Sequence, residues 1–99
     1  MAKNINLNIT KTNIKNGERA NPGKCPIANS IRDNVKSLVN VHVLPDNIFF
    51  VIKENKENVA YTTKTPYTGN QFIKKFDDGK KVRPFKLELN FTKTELVAI

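Results

Sequence analysis

The stretch from Asn70 to Phe91, N-Q-F-I-K-K-F-D-D-G-K-K-V-R-P-F-K-L-E-L-N-F, predicts a helix, a glycine stop and a closing strand. Phe72, Ile73 and Phe76 form the apolar stripe of a short helix. Gly79 suits the left-handed conformation that ends many helices. Beyond it every second residue is apolar, which is the period of a strand. The inward side chains of that strand are Phe85, Leu87, Leu89 and Phe91.

Four other segments have the alternation or the apolar content of strands. They span residues 5–9, 39–43, 48–53 and 59–63. A second helix is predicted to begin at Pro26, because proline costs little at the first helical position. Its apolar stripe consists of Ile27, Ile31, Val35 and Leu38. Residues 12–15 favour a short helical turn, and Thr68 with Gln71 fits a capping box at the start of the later helix.

The element order β-α-β-β-β-α-β predicts an α+β fold, with a single mainly antiparallel sheet and helices on one face. The other face would be half polar and half apolar, and suits a ligand platform or a dimer surface. At 99 residues the chain is expected to form one compact domain, residues 1–99. Residues 92–99 are expected to be a tail that frays, or docks at a sheet edge or on another chain.

The chain is strongly basic, with a formal net charge of +8 and a pI near 9.8 at a mass of 11.2 kDa. Such a charge favours anionic partners: nucleic acid, nucleotides or the acidic face of another protein. A lysine-rich surface that serves only solubility is the alternative interpretation. No apolar run approaches the length of a membrane span, and the first residues do not have the pattern of a signal peptide. We therefore expect a cytoplasmic protein that does not associate with membranes.

Several classes of site are excluded by the scarcity of cysteine and histidine. Cys25 is the only cysteine, so an internal disulfide and a cysteine-rich zinc site cannot form within one chain. His42 is the only histidine, and nothing in the sequence places it beside Cys25 as a base. We therefore expect Cys25 to be a small buried core residue, with no catalytic group, metal or cofactor in the protein.

A possible anion site lies in the loop that leads into the first long helix. Arg19 and Lys24 flank this loop, and free amides at a helix start attract phosphate. The loop lacks the full phosphate-loop motif, and Pro26 removes one amide donor. A plain strand-to-helix connection with solvated cations is the interpretation that the sequence favours.

A second basic segment precedes the last strand. Its cations are Lys74, Lys75, Lys80, Lys81, Arg83 and Lys86. A solvated face and a phosphate-binding rim explain this cluster equally well. If the first and last strands pair, Arg19, Lys24 and Arg83 converge on one rim. Tyr61 or Tyr67 would then be the group that stacks on a ring. These five residues are the predicted ligand-binding set.

Two motifs resemble those of a known group of proteins. One is I-x-N-G followed by C-P-I-A, between Ile14 and Ala28, and the other is F-I-K-K-F-D-D-G-K-K-V-R-P-F-K-L-E-L, between Phe72 and Leu89. The chain resembles small uncharacterised bacteriophage and mobile-element proteins that carry an early C-P-[IV]-A and a late F-D-x-G-x-x-V-x-P-F-x-[FL]-x-[LV]. The resemblance implies a phage accessory function, such as host takeover, nucleic-acid metabolism or evasion of host defence. It assigns no role to any residue.

Together these observations favour a non-enzymatic, phage-type counter-defence protein that acts in the host cytosol. It would bind a phosphate-bearing ligand, and one such ligand is a nucleotide immune signal that the protein sequesters. The alternatives are a DNA- or RNA-binding protein, or an inhibitor that docks on an acidic face of a host protein. A homo-oligomer is expected, because small chains commonly build such sites at subunit interfaces.

Overall fold

A five-stranded antiparallel sheet forms the frame of the protein in the computed structural model, which describes residues 2–94. The strands are β1 (Ala2–Ile9), β2 (Leu38–Val43), β3 (Asn47–Glu54), β4 (Glu57–Lys64) and β5 (Phe85–Thr94). They are ordered β1-β5-β4-β3-β2, so the first and last strands pair as expected. The helices are α1 (Lys11–Asn16), α2 (Pro26–Asn34) and α3 (Tyr67–Asp77). The predicted α+β class with a single antiparallel sheet is confirmed.

The core lies on one face of this sheet and follows the alternation of the sequence. In the β1–β5 pair, Leu7 lies opposite Leu87, and both side chains are buried. In the centre, the Phe50 ring packs against two other aromatic rings, Tyr61 at 5.4 Å and Phe91 at 4.6 Å between centroids. The outward face of this pair is polar and exposed, as expected for a sheet with one solvated face, at Asn4, Asn6 and Asn8 of β1 and at Lys86, Glu88 and Asn90 of β5.

Helix α2 lies against both β1 and β2, which are the strands at the two opposite edges of the curled sheet. Ile27, Ala28 and Ile31 have 0 % of their surface exposed, so this helix is an internal element. Ser30 is also completely buried, and its hydroxyl donates a hydrogen bond to Asn8 O at 3.2 Å. That bond removes the cost of burying the hydroxyl and links α2 to β1.

The predicted apolar stripe of α2 is too long. The helix ends at Asn34, and Val35 is its extended C-cap residue. Leu38 belongs to β2, where an irregularity in the pairing with β3 falls between Leu38 and Asn40. This bulge inserts one extra residue into β2, so the alternation between the core side and the solvent side of the strand shifts by one residue at this point. Val39, which simple alternation directs to the core, is consequently 53 % exposed.

The predicted capping box at Thr68 and Gln71 is wrong. Helix α3 begins at Tyr67 with Pro66 as its N-cap residue, so Thr68 lies within the first turn and makes no cap. The hydroxyl of Thr65 instead donates to Leu44 O at 2.8 Å.

The capping box of this protein lies at α1. There the backbone N–H of Asn13 donates to Thr10 Oγ1 at 3.1 Å, while the backbone N–H of Thr10 donates to Asn13 Oδ1 at 3.0 Å. Asn13 is buried, and its side-chain amide also donates to Asp33 Oδ2 at 2.9 Å. The predicted turn at residues 12–15 is therefore a capped helix that is tied to α2.

The end of the chain differs from the expected tail. Strand β5 continues to Thr94, and Thr92 to Thr94 pair with Ala60 to Thr62 of β4. The sheet therefore includes the first three residues of the segment predicted as a tail, and residues 95–99 lie outside the described part. None of the three helices in the described part is long and apolar enough to cross a membrane.

Replacing Ile31 tests whether α2 is an internal element. We expect Ile31→Ala to lower the free energy of unfolding by about 2–5 kcal/mol, because the cavity it leaves is completely buried. Val39→Ala is the matched control and should change stability by no more than about 0.5 kcal/mol. Urea unfolding monitored by circular dichroism measures both values. A larger loss for Val39→Ala than for Ile31→Ala would contradict the assigned burial.

Candidate ligand-binding groove

A groove of about 590 Å³ lies between one face of α3 and the chain segment that enters β5. Its lining residues are Tyr67, Thr68, Gln71, Phe72, Lys75, Lys81, Val82, Arg83 and Phe85. They come from two stretches that Gly79 separates in sequence, so the turn after α3 creates the groove.

One wall of the groove is a face of α3, and the helical periodicity shows which residues form it. Tyr67, Gln71 and Lys75 are spaced four residues apart and therefore share one face of α3. The opposite face of the helix, with Ile73 and Phe76, is buried in the core.

The other wall is the segment from Lys81 to Phe85, which returns along the helix after the turn. Two contacts fix its course. Lys80 N–H donates to Lys75 O at 2.9 Å at the end of the helix. Further along, the Phe85 ring packs on Phe72 with 4.7 Å between centroids. Gly79 makes the turn possible with a φ of +77°, a conformation that other residues adopt only with strain.

The groove carries positive charge and an exposed aromatic ring. Lys75, Lys81 and Arg83 are all exposed, and no acidic side chain is among the lining residues. Within residues 2–94, the one ion pair is Lys24–Glu18, so the groove cations are not neutralised by a described carboxylate. Tyr67 is 78 % exposed, so its ring is accessible to a ligand. The groove therefore combines anion-binding groups with a surface for stacking.

Two of the five predicted ligand-binding residues, Tyr67 and Arg83, meet in this groove. Tyr61, the alternative stacking residue, does not line the groove. Its ring is buried, with Phe50 stacked on it and the Lys3 ammonium 5.4 Å from its centroid. The Tyr61 hydroxyl donates to Glu54 Oε1 at 2.8 Å, and this hydrogen bond to a carboxylate raises the pKa of Tyr61.

Arg19 and Lys24 are not among the residues that line the groove with Arg83. Arg19 lies at the end of α3, where its Cζ would be 3.1 Å from a Cβ placed on Gly79. The neighbouring Ala20 N–H donates to Asp77 Oδ1 at 2.9 Å. Lys24 pairs with Glu18 at 3.6 Å and lines a different hollow, beside Asp33.

One backbone hydrogen bond helps to set the course of the loop that carries these two cations. Pro22 O accepts a hydrogen bond of 2.8 Å from Val43 N–H, which holds this part of the loop on the edge of β2. Arg19, nearer the start of the loop, instead lies beside the turn that follows α3.

Cys25 is the N-cap residue of α2, and its Sγ accepts a hydrogen bond from Ala28 N–H at 3.5 Å. The thiol is buried, as expected, and burial raises its pKa. His42 lies on the outer face of the sheet, stacked on Phe49 with 4.9 Å between ring centroids. A cysteine–histidine pair is therefore not formed. The described part of the chain contains no cluster of three or more histidine, cysteine and acidic side chains that could hold a metal.

The sequence-based set omitted Lys75 and Lys81 as ligand-binding residues, although both belong to the basic cluster. The available signal was the spacing of Tyr67, Gln71 and Lys75, which places an aromatic ring and a cation on the solvent side of one helix.

Comparisons with known proteins identify no relative: no protein-family model matches the chain, no curated protein matches it, and no solved structure matches it. The chemistry of the groove is therefore the guide to function.

The burial of Cys25 predicts a slow reaction with a thiol reagent. At neutral pH the thiol is un-ionised and enclosed, and only the thiolate is a strong nucleophile. We expect Ellman's reagent to modify the native protein far more slowly than the protein unfolded in urea. Equal rates in the two states would contradict the buried thiol.

Proposed function

We propose that the protein is a non-enzymatic binding protein that holds a phosphate-bearing ligand with an aromatic ring, such as a nucleotide, in the α3 groove. The observation that carries the proposal is the presence of Tyr67 and three cations in one groove that no described acidic side chain lines. The cations alone would not support the proposal, because exposed lysines are common on protein surfaces.

Each part of such a ligand has a partner in the groove. The Arg83 guanidinium can donate two parallel hydrogen bonds to a phosphate, and Lys75 and Lys81 add point charges. The exposed Tyr67 ring offers a face on which a base can stack, an interaction worth about 1–3 kcal/mol. Thr68 and Gln71 supply polar groups on the same wall. Binding of this kind requires no nucleophile, base or metal.

The resemblance to small phage proteins favours sequestration as the biological role. A phage protein in the host cytosol that binds a nucleotide signal stoichiometrically would lower its free concentration without any chemical step. We propose this counter-defence role on the basis of the resemblance and of the groove.

The predicted alternative of DNA or RNA binding makes a different prediction about salt. A protein that tracks a polyanion loses affinity with a log–log slope close to the number of phosphates contacted. Binding of a single nucleotide in the groove should depend on salt much less. An inhibitor of an acidic host protein would bind neither ligand.

Calorimetric titration with a panel of nucleotides tests the proposal. We expect Tyr67→Ala and Arg83→Ala each to weaken binding roughly ten- to a hundred-fold, because a charge-assisted or stacking contact is worth about 1.5–3 kcal/mol. Lys56→Ala, in the β3–β4 turn, is the charge control and should bind as the parent does. Equal losses in Arg83→Ala and Lys56→Ala would indicate diffuse charge. Failure of the parent to bind any nucleotide would refute the proposal.

We also propose that the protein is a homo-oligomer that associates through β1. The two edges of the sheet are not equally protected. On β2, Val43 N–H donates to Pro22 O and Val41 N–H donates to Asn40 Oδ1. Among residues 2–94, the Ser30 hydroxyl is the only group outside the sheet that bonds to the backbone of β1. Apart from Asn8 O, the backbone of this eight-residue edge strand has no described bond outside the sheet, and such an edge is a template for pairing with a second copy.

Multi-angle light scattering over a range of concentrations tests this part of the proposal. The expected result is a dimer at the higher concentrations, with the free-edge amides of β1 protected from hydrogen exchange. A monomer at every concentration would contradict it.

A further inference from the structure

We infer that the groove has a direction: it accepts a linear nucleoside di- or triphosphate, with the base at the Tyr67 end and the terminal phosphate at the Lys75–Lys81 end. This inference rests on the proposed function and adds the class of nucleotide that the groove would prefer. It is carried by the order in which aromatic and cationic side chains follow one another along both walls.

On the helical wall, Tyr67 and Lys75 mark the two ends. They are separated by eight residues, which corresponds to about 12 Å along the helix axis. Gln71 lies between them on the same face, one turn from each. This wall therefore presents a ring, a polar group and a cation in that order.

The returning wall presents the same order in the same direction. Lys80 N–H bonds to Lys75 O at 2.9 Å, so Lys81 begins this wall at the Lys75 end. The Phe85 ring, at the other end of the wall, packs on Phe72, the middle residue of α3. Arg83 lies between Lys81 and Phe85. The lysines of both walls thus lie towards the end of α3, and the exposed ring of Tyr67 lies at its start.

The groove is longer, and carries more positive charge, than the binding of a single phosphate group requires. The phosphate of a nucleoside monophosphate is only one sugar away from its base, whereas the terminal group of a di- or triphosphate extends further. A phosphate monoester carries a charge of about −1.5 to −2 at neutral pH. Arg83 and the two lysines supply three positive charges, which fits a longer phosphate chain.

The distribution of aromatic rings disfavours cyclic dinucleotides. Such ligands hold their phosphates between two bases and would need a stacking surface at each end of the site. The lining residues place Tyr67 at one end, Phe72 and Phe85 near the middle, and only lysines at the other end. The groove therefore suits one base and one chain of phosphates.

The test is a calorimetric ladder of adenosine, AMP, ADP, ATP, inorganic triphosphate and cyclic di-AMP, in buffer free of divalent metal. We expect ADP and ATP to bind at least ten-fold more tightly than AMP, and inorganic triphosphate to bind more weakly than ATP. Lys81→Ala should reduce the gain of ADP over AMP, whereas Tyr67→Ala should weaken AMP, ADP and ATP by a similar factor. Lys86→Ala, exposed on the outer face of β5, is the matched control and should leave the ladder unchanged. Circular dichroism confirms that each variant is folded.

The outcomes separate this inference from the proposed function. Equal affinities for AMP, ADP and ATP, with the losses in Tyr67→Ala and Arg83→Ala retained, would overturn the direction of the groove and leave nucleotide binding standing. Tightest binding of cyclic di-AMP would also overturn it. Equal binding of inorganic triphosphate and ATP would remove the base from the site, and failure of the parent to bind any member would refute both proposals.

Discussion

The burial of one helix between the two edges of the sheet is the constraint on which the rest of the structure depends. Helix α2 contacts both β1 and β2, and Ile27 and Ile31 are completely enclosed. Full burial of such a side chain contributes about 1.5–3 kcal/mol, so a sheet that curls around α2 is favoured over one that leaves these side chains in water. The Ser30 hydroxyl and the Cys25 cap satisfy the polar groups that this burial would otherwise leave without partners.

Helix α3 approaches both α2 and β5, and this approach sets the position of the groove. A Cβ added at Gly69 would be 3.3 Å from Thr65 Cγ2, 3.5 Å from Leu87 Cδ2 and 3.9 Å from Ile27 Cδ1. Glycine therefore allows the backbone of α3 to approach both β5 and α2 closely. Because this face of α3 is held against the core, the face with Tyr67 remains in solvent. The groove is a consequence of a rigid helix set beside a returning chain, which pre-organises its side chains for binding.

Periodicity predicted the parts of the fold in which burial alone decides the structure, and it failed where a local irregularity intervenes. Phe76 is buried as its helical spacing predicts, whereas Val39 is exposed because a bulge shifts the strand by one residue. For the site, sequence spacing could place Tyr67 on a helix next to a basic segment. It could not report that Phe50 and Lys3, which come from other strands, lie against the Tyr61 ring. The positions of Arg19 beside Gly79 and of Lys24 beside Glu18 likewise depend on the contacts that a loop makes.

The central claim is that a nucleotide binds in the groove between α3 and the entry to β5. Amide chemical-shift mapping of the isotopically labelled protein during titration with ADP tests it most directly, because every segment is observed at once. The account predicts that the largest shifts fall in residues 67–75 and 81–85. The amides of β1 and of the β3–β4 turn should be unaffected. Shifts centred on either of these segments, or spread evenly over the basic surface, would contradict it.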